Sequence, residues 1–187
     1  LDEVIEWLGE TIRQTDSSLV DEWEALVTPG ATPSSEPSAP PRPPRPLSAN
    51  TQALQTMVRR AMWRRVELAA RDDVTGLAAL EQAGAALTEP PTPVVMTRRQ
   101  WDAALEDYFA EHDEIGTDAD ARGPAMLAIE REVTESSDGE PGRFWRVRQT
   151  LADPADDHDW VIEAQVDLDA TDAVGELVLT TLGLRQL

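Results

Sequence analysis

The sequence contains no cysteine and no lysine, and each absence removes a class of function. Without cysteine there is no disulfide, no thiolate nucleophile and no zinc site built on sulfur. Without lysine there is no GxxxxGK(S/T) phosphate-binding loop, and no Asp-Glu-Ala-Asp or Asp-Glu-x-His box is present either, so this chain cannot be an ATPase motor. Apolar runs of membrane-spanning length and a signal-peptide pattern are also missing, which leads us to expect a cytoplasmic protein with no membrane partner. Because Leu1 rather than methionine opens the sequence, we expect a fragment or a processed product.

Negative charge dominates, with 36 acidic residues against 16 arginines and a net charge of -20 over 187 residues. Such a charge repels phosphate backbones over a Debye length of about 8 Å, which argues against a generic nucleic-acid-coating role. The positive charge is concentrated between residues 42 and 71, where seven arginines accompany one acid, Glu67. That segment is near +6, and subtracting it from -20 leaves the remainder near -26.

The composition divides the chain into three parts. Residues 1–27 have apolar side chains at helical spacing and predict an amphipathic helical segment too short to fold alone. Residues 28–49 form a proline-rich linker, for which we favour a spacer role, although the PPRPPRP run also has the PxxP spacing that docks into aromatic grooves. Residues 50–187 have the patterning of a folded, acidic accessory domain.

Periodicity within residues 50–187 predicts an α+β fold, with three or so helices packed on a four-stranded, mainly antiparallel sheet. The predicted helices cover residues 51–71, 75–86 and 97–115, and the predicted strands cover 125–133, the two halves of 143–169, and 177–184. SSDGEPG reads as a hairpin turn between the first two strands. Three tryptophans are expected in the core: Trp101, Trp145 and Trp160.

The first predicted helix of this domain carries the basic cluster. Arg59, Arg60 and Trp63 share the face opposite the apolar stripe, and Arg64 lies beside them. Cations next to a stackable aromatic ring suit a nucleic-acid contact, whereas the abundant carboxylates favour pairing within the protein or with a neighbouring domain. We favour the pairing and leave the nucleic-acid contact as the alternative. Arg65 falls inside the apolar stripe and must snorkel or find a carboxylate.

The two histidines of the chain lie among acids, in AEHDE and DDHDW. They could contribute to a divalent metal site or to metal-assisted hydrolysis if the fold brought them together with nearby carboxylates, the candidate ligands being His112, His158, Asp157 and Asp159. The competing interpretation is a polar turn and surface histidines beside acids, which we favour. We therefore assign no catalytic residue and no resident metal.

Four blocks of the sequence occur in this order: DSSLVDEWEAL (16–26), RRAMWRRVELAA (59–70), WDAALEDYFAEHDEIGTDADARGPAML (101–127) and WRVRQTLADPADDHDWVIEAQVDL (145–168). Together they resemble the C-terminal domain of unknown function that follows the core of certain bacterial DEAD/DEAH-box helicases. The resemblance implies a position downstream of an ATP-driven RNA or DNA helicase core, with residues 1–27 as the end of that core. Trp7 and Trp23 would then contribute to a docking helix, and ATP and Mg²⁺ would belong to the motor, leaving this fragment without a cofactor.

The leading hypothesis is a non-catalytic accessory domain of an ATP-dependent helicase, which docks on the motor or recruits a partner and reaches RNA or DNA through the motor. The alternative is a free-standing α+β domain with a small-molecule or metal-assisted hydrolase site near His112 and His158. A third possibility is an acidic nucleic-acid mimic that occupies a basic groove on its partner.

Overall fold

The computed structural model describes residues 46–187. The predicted helical segment 1–27, with Trp7 and Trp23, and most of the proline-rich linker therefore lie outside the described residues. The last residues of that linker form a 3₁₀ turn, Leu47–Ala49. The backbone N–H and the hydroxyl of Ser48 in this turn donate to the Asp172 carboxylate at 2.8 and 2.6 Å. The folded unit thus extends a few residues upstream of the expected boundary at residue 50.

Residues 46–187 contain four α-helices: α1 (Thr51–Ala69), α2 (Val74–Ala85), α3 (Arg98–Glu111) and α4 (Leu168–Val174). The first two begin where a polar side chain can accept an amide hydrogen of the first turn. Asn50 accepts from Ala53 at 3.0 Å, and Asp73 accepts from Gly76 at 2.8 Å. A capping box of Thr97 and Gln100 starts α3. These three starts lie within one residue of the predicted ones.

The structure differs from the sequence-based prediction in where α3 ends and in containing an additional helix, α4. Helix α3 ends at Glu111, four residues before the predicted end, because His112 takes extended backbone angles (φ -128°, ψ 137°). Helix α4 was not predicted, since Leu168 continues the alternation of the preceding strand. Asp167 caps this helix by accepting the Ala170 N–H at 2.8 Å, and Gly175 ends it in the left-handed region (φ 78°).

The four strands form one antiparallel sheet in the order in which they occur: β1 (Leu127–Glu135), β2 (Pro141–Thr150), β3 (Trp160–Asp167) and β4 (Leu179–Gln186). The predicted hairpin turn between β1 and β2 is present, with Ser136 N donating to Glu140 O at 2.8 Å and Gly139 at φ 83°. Arg148 lies opposite Glu163 across β2 and β3, on the exposed face, as the alternation predicts. The predicted α+β meander is therefore confirmed.

The main core lies between one face of the sheet and helices α1, α2 and α3. Trp145 and Val147 of β2 alternate inward with the apolar residues of β3. Trp101, Trp145 and Trp160 are all buried, as expected for large rings. The other face of β2 carries Arg146 and Arg148. Within residues 46–187, no helix is both long enough and apolar enough to cross a membrane.

A charged pair is buried where α1, α2 and β4 meet. The side chain of Arg65 is 4% exposed and that of Glu81 is 4% exposed. Arg65 Nε donates to Glu81 Oε1 at 2.9 Å, the Thr181 hydroxyl donates to the same oxygen at 2.8 Å, and Arg65 Nη1 donates to the Ala61 carbonyl at 3.0 Å. Arg65 was predicted either to snorkel or to find a carboxylate, and the structure shows that it pairs with the carboxylate of Glu81.

Candidate functional site

A cleft of about 330 Å³ lies on the outer side of α1. Arg59, Arg60, Trp63 and Arg64 line it from α1, because positions three and four apart share one helix face. The opposite side comes from the loop before β1 and from β2, which contribute Arg122, Gly123 and Gln149. The structure therefore brings the four residues predicted from the sequence to one concave surface and adds a fifth cationic or aromatic side chain, Arg122.

Trp63 organises the inner part of the cleft. Its ring is partly buried against the core, and its indole N–H donates to Glu67 Oε1 at 2.9 Å. The guanidinium carbon of Arg122 lies 4.5 Å from the centre of the Trp63 ring, which is a cation–π distance. Glu67 also lies 3.6 Å from both Arg64 and Arg122. One carboxylate and one indole ring thus hold two of the four cleft arginines in place.

Gln149 of β2 stabilises the end of the segment that carries Arg122. The Gln149 side chain is buried, and its amide nitrogen donates to the carbonyls of Met126 and Thr150, both at 3.0 Å. Gly123 N donates to Asp120 O at 2.8 Å in the turn next to Arg122. A Cβ at Gly123 would stand 2.8 Å from that same carbonyl, so the turn has no room for a side chain there. The cleft is therefore built by packing as well as by charge.

The cleft is locally positive on an acidic domain. Its four arginines and one glutamate give +3, whereas residues 46–187 as a whole hold 13 arginines and 27 acids, a net charge of -14. Arg59 and Arg60 are exposed, and no carboxylate of the described part lies within 4.0 Å of either guanidinium. Of the basic residues on α1, Arg64 and Arg65 thus have an internal acidic partner in the described domain.

The two histidines lie in separate surroundings. His112 immediately follows α3, where its ring packs against Tyr108 at 5.1 Å and its Nε2 lies 3.9 Å from Asp159 Oδ1. His158 lies in the loop between β2 and β3, with its Nε2 3.3 Å from Asp156 Oδ1. An acidic hollow of about 340 Å³ is lined by His158 but not by His112. Among residues 46–187, no three His, Asp or Glu side chains are arranged to hold a metal ion.

The DPADDHD segment around His158 is organised by its own backbone. The Asp153 carboxylate accepts the N–H groups of Asp157 at 3.0 Å and His158 at 2.8 Å. Burial raises the pKa of Asp153, but these amide hydrogen bonds and the nearby His112 outweigh burial and hold it below its ordinary value. Asp156 and His158 both take left-handed backbone angles, at φ 62° and 54°. These features are those of a side-chain-stabilised polar turn.

Tyr108 is a buried residue of α3 whose ring packs against that of His112. Its hydroxyl donates to the Glu114 carbonyl at 2.9 Å. Burial, with added repulsion from Asp153, Asp159 and Glu114, raises its pKa above the ordinary value. Tyr108 therefore remains a protonated donor at neutral pH and is not poised to act as a general base.

The sequence model of one protein family matches nearly the whole chain. The model for a domain of unknown function, DUF3516, matches residues 1–184. The chain belongs to this family. Comparison of this DUF3516 chain with curated proteins and with solved structures finds no match.

Arg122 is the cleft residue that sequence reasoning missed. It stands in the polar loop GTDADARGP, more than fifty residues after the basic cluster of α1, and no periodic pattern links the two. The available signal was weak: it is the one arginine in a loop of acids, directly before Gly123. Gln149 bonds the Met126 carbonyl just after that loop, and Glu67 and the Trp63 ring hold the Arg122 guanidinium itself.

Proposed function

We propose that this DUF3516 chain is a non-catalytic accessory domain of an ATP-dependent DEAD/DEAH-box RNA or DNA helicase, and that it acts by binding through the basic cleft. The four sequence blocks that resemble the C-terminal domain of such helicases supply the context. The observation that carries the proposal is the cleft itself, in which Trp63 and four arginines stand on an otherwise acidic surface. Guanidinium groups arranged in this way recognise carboxylates or phosphates.

The side chains of the cleft are suited to binding and not to bond cleavage. The cleft contains no histidine and no hydroxyl nucleophile, and its one carboxylate, Glu67, accepts the Trp63 indole N–H and lies near two arginines. A general base must be within reach of a substrate proton and able to take it up. Glu67 is committed to holding Trp63 and Arg122, so the cleft is a recognition surface for an acidic segment of the motor or for its nucleic acid.

The hydrolase alternative draws on the acidic hollow around His158. That hollow has room for a small molecule, but it holds one imidazole and His112 does not line it. Addition of Zn²⁺ or Mn²⁺ tests this alternative: a metal-dependent rise in melting temperature that disappears in His158→Ala would favour it. An unchanged melting temperature would leave the accessory-domain proposal.

The proposal is tested in the parent protein that contains this domain. The Arg59→Glu/Arg60→Glu pair should lower nucleic-acid unwinding, or the yield of cross-links between domain and motor, by about tenfold, since two attractive contacts become repulsive. ATP hydrolysis in the absence of nucleic acid should not change. The matched control is Arg98→Glu/Arg99→Glu, which makes the same charge change at two exposed neighbouring arginines of α3. A parent without a helicase motor, or equal losses in both pairs, would overturn the proposal.

A further inference from the structure

The dimensions of the cleft restrict its ligand. A volume of about 330 Å³ is near the lower end of the range for small-molecule sites, about 300–1,000 Å³. A nucleic-acid duplex or a folded partner domain could touch only the rim of such a cleft. A single planar group with one charged substituent can enter it.

The lining of the cleft has two chemically different parts. On α1, Arg59, Arg60 and Arg64 form a cationic edge; Arg59 and Arg60 are exposed, and Arg64 is half exposed. The Trp63 ring of the same helix lies beside the Arg122 guanidinium of the opposite wall, with the guanidinium carbon 4.5 Å from the ring centre. Guanidinium groups bind phosphate oxygens, and nucleobases stack on aromatic rings and on guanidinium planes. A peptide carboxylate would satisfy the first part and leave the second unused.

The charge of the rest of the domain limits how much of an anion can bind. At a net charge of -14 over residues 46–187, the surface outside the cleft repels any polyanion laid across it. A rigid duplex would bring further phosphates against that surface. A flexible single strand can insert one nucleotide into the cleft while its other phosphates point away from the acidic surface. A free nucleotide has no further phosphodiester units to be repelled.

From these observations we infer that the cleft binds one phosphorylated nucleoside unit, with its base against Trp63 and Arg122 and its phosphate at Arg59, Arg60 and Arg64. The inference rests on the proposed function, since it names the ligand of the same cleft. Two sources share this chemistry, a free nucleotide and one unit of single-stranded RNA or DNA. An acidic peptide is the competing ligand.

The test uses the whole 187-residue chain and fluorescence anisotropy with a labelled single-stranded oligonucleotide of about 12 nucleotides. Because a single phosphate is held by the three arginines, affinity should fall only about threefold between about 50 mM and about 200 mM salt, the logarithmic slope being about -0.7 per phosphate contact. Arg59→Glu/Arg60→Glu makes two of the three contacts to that phosphate repulsive and should weaken binding by about tenfold or more at about 50 mM salt. Trp63→Leu should weaken binding at least fivefold by removing the stacking ring. Arg98→Glu/Arg99→Glu is the matched control and should bind like the wild type.

Competition with AMP, ATP and a polyglutamate peptide identifies the source. Oligonucleotide binding that AMP displaces supports a strand unit, and binding of AMP or ATP without oligonucleotide binding supports a free nucleotide. Binding of polyglutamate alone, or absence of binding to all probes while circular dichroism shows folded protein, overturns the inference. If motor association nevertheless depends on Arg59 and Arg60, the proposed function stands without it. If nucleotides bind the cleft but the parent contains no motor, the cleft is a nucleotide site and the proposed helicase role fails.

Discussion

The buried pair Arg65–Glu81 allows the sharpest prediction about stability, through the substitution Glu81→Ala. Both side chains are 4% exposed, and Glu81 accepts hydrogen bonds from the Arg65 guanidinium and from the hydroxyl of Thr181. Removing the carboxylate leaves a guanidinium group inside the protein with the Ala61 carbonyl as its remaining hydrogen-bond acceptor besides Thr181. The charge of that guanidinium is then uncompensated in a site where its side chain is 4% exposed.

The expected loss follows from the cost of stranding a buried charge. Breaking a buried ion pair by removing one partner destabilises a protein by about 3–5 kcal/mol. A domain of this size has a free energy of unfolding of about 5–15 kcal/mol, so Glu81→Ala removes a large fraction of it. With a urea dependence of about 2 kcal/mol per molar, the midpoint should move down by about 2 M.

Urea unfolding followed by tryptophan fluorescence measures this shift, and two controls make it specific. Arg185→Gln removes one partner of the exposed Glu163–Arg185 pair, at 2.8 Å, and should cost only about 0.2–1 kcal/mol. The triple replacement Arg65→Met/Glu81→Leu/Thr181→Val removes all three polar side chains together. The free energy of unfolding of this triple variant should lie within about 2 kcal/mol of the wild-type value, because no buried charge is left without a partner.

A loss of unfolding free energy in Glu81→Ala no larger than that in Arg185→Gln would contradict this prediction. Such a result would mean that solvent already reaches the Arg65 guanidinium, and the position of α2 against α1 would then have to differ from the one described. A triple variant that loses as much as Glu81→Ala would instead show that packing and not charge dominates at this site.

Three further outcomes follow from the described contacts. Burial raises the pKa of Asp172, but hydrogen bonds from Ser48 and Arg143 outweigh burial and hold that pKa below its ordinary value. The stabilisation from Asp172 is therefore complete above about pH 4 and is lost as the pH falls through the lowered pKa. Asp172→Asn should accordingly flatten the acid limb of a curve of unfolding free energy against pH. At neutral pH, Asp172→Ala should lower the free energy of urea unfolding by about 2 kcal/mol through the loss of these charge-assisted hydrogen bonds, and a loss below about 0.5 kcal/mol would contradict this. Gly175→Ala should cost about 1 kcal/mol in thermal or urea unfolding because Gly175 has φ 78°, whereas Gly183→Ala, with open space at its Cβ, should be neutral or slightly stabilising.

Within residues 46–187, the sheet and three of the four helices could be predicted because their patterns are local. Arg146 and Arg148 alternate with Trp145 and Val147, and a period of two fixes which side of β2 is buried. Helix α4 escaped prediction for the same reason, since Leu168 obeys the strand period up to the residue where a side-chain cap changes the backbone. Backbone capping competes with periodicity over one or two residues, and the sequence pattern does not reveal which of them determines the structure.

The sequence predicts the wall of the cleft that α1 forms but not the opposite wall. Residues of one helix face are brought together by the helix itself, so the cluster around Trp63 follows from spacing alone. Its other wall depends on a buried glutamine of β2 whose amide holds the loop of Arg122. Gln149 occupies an inward position in a strand, where an apolar residue is expected, and this departure from the pattern is the sequence signal that a polar contact lies behind it.

The absence of lysine has a structural counterpart in these arginine environments. At Arg65 the guanidinium donates through Nε and Nη2 to the two oxygens of Glu81 and through Nη1 to the Ala61 carbonyl. At Arg122 a flat cation lies on the ring of Trp63 while remaining 3.6 Å from Glu67. A lysine ammonium is a compact, strongly hydrated point charge that offers neither a planar fork to a carboxylate nor a flat face to an indole ring. The all-arginine composition therefore suits a domain that uses its few cations for directed contacts at fixed positions.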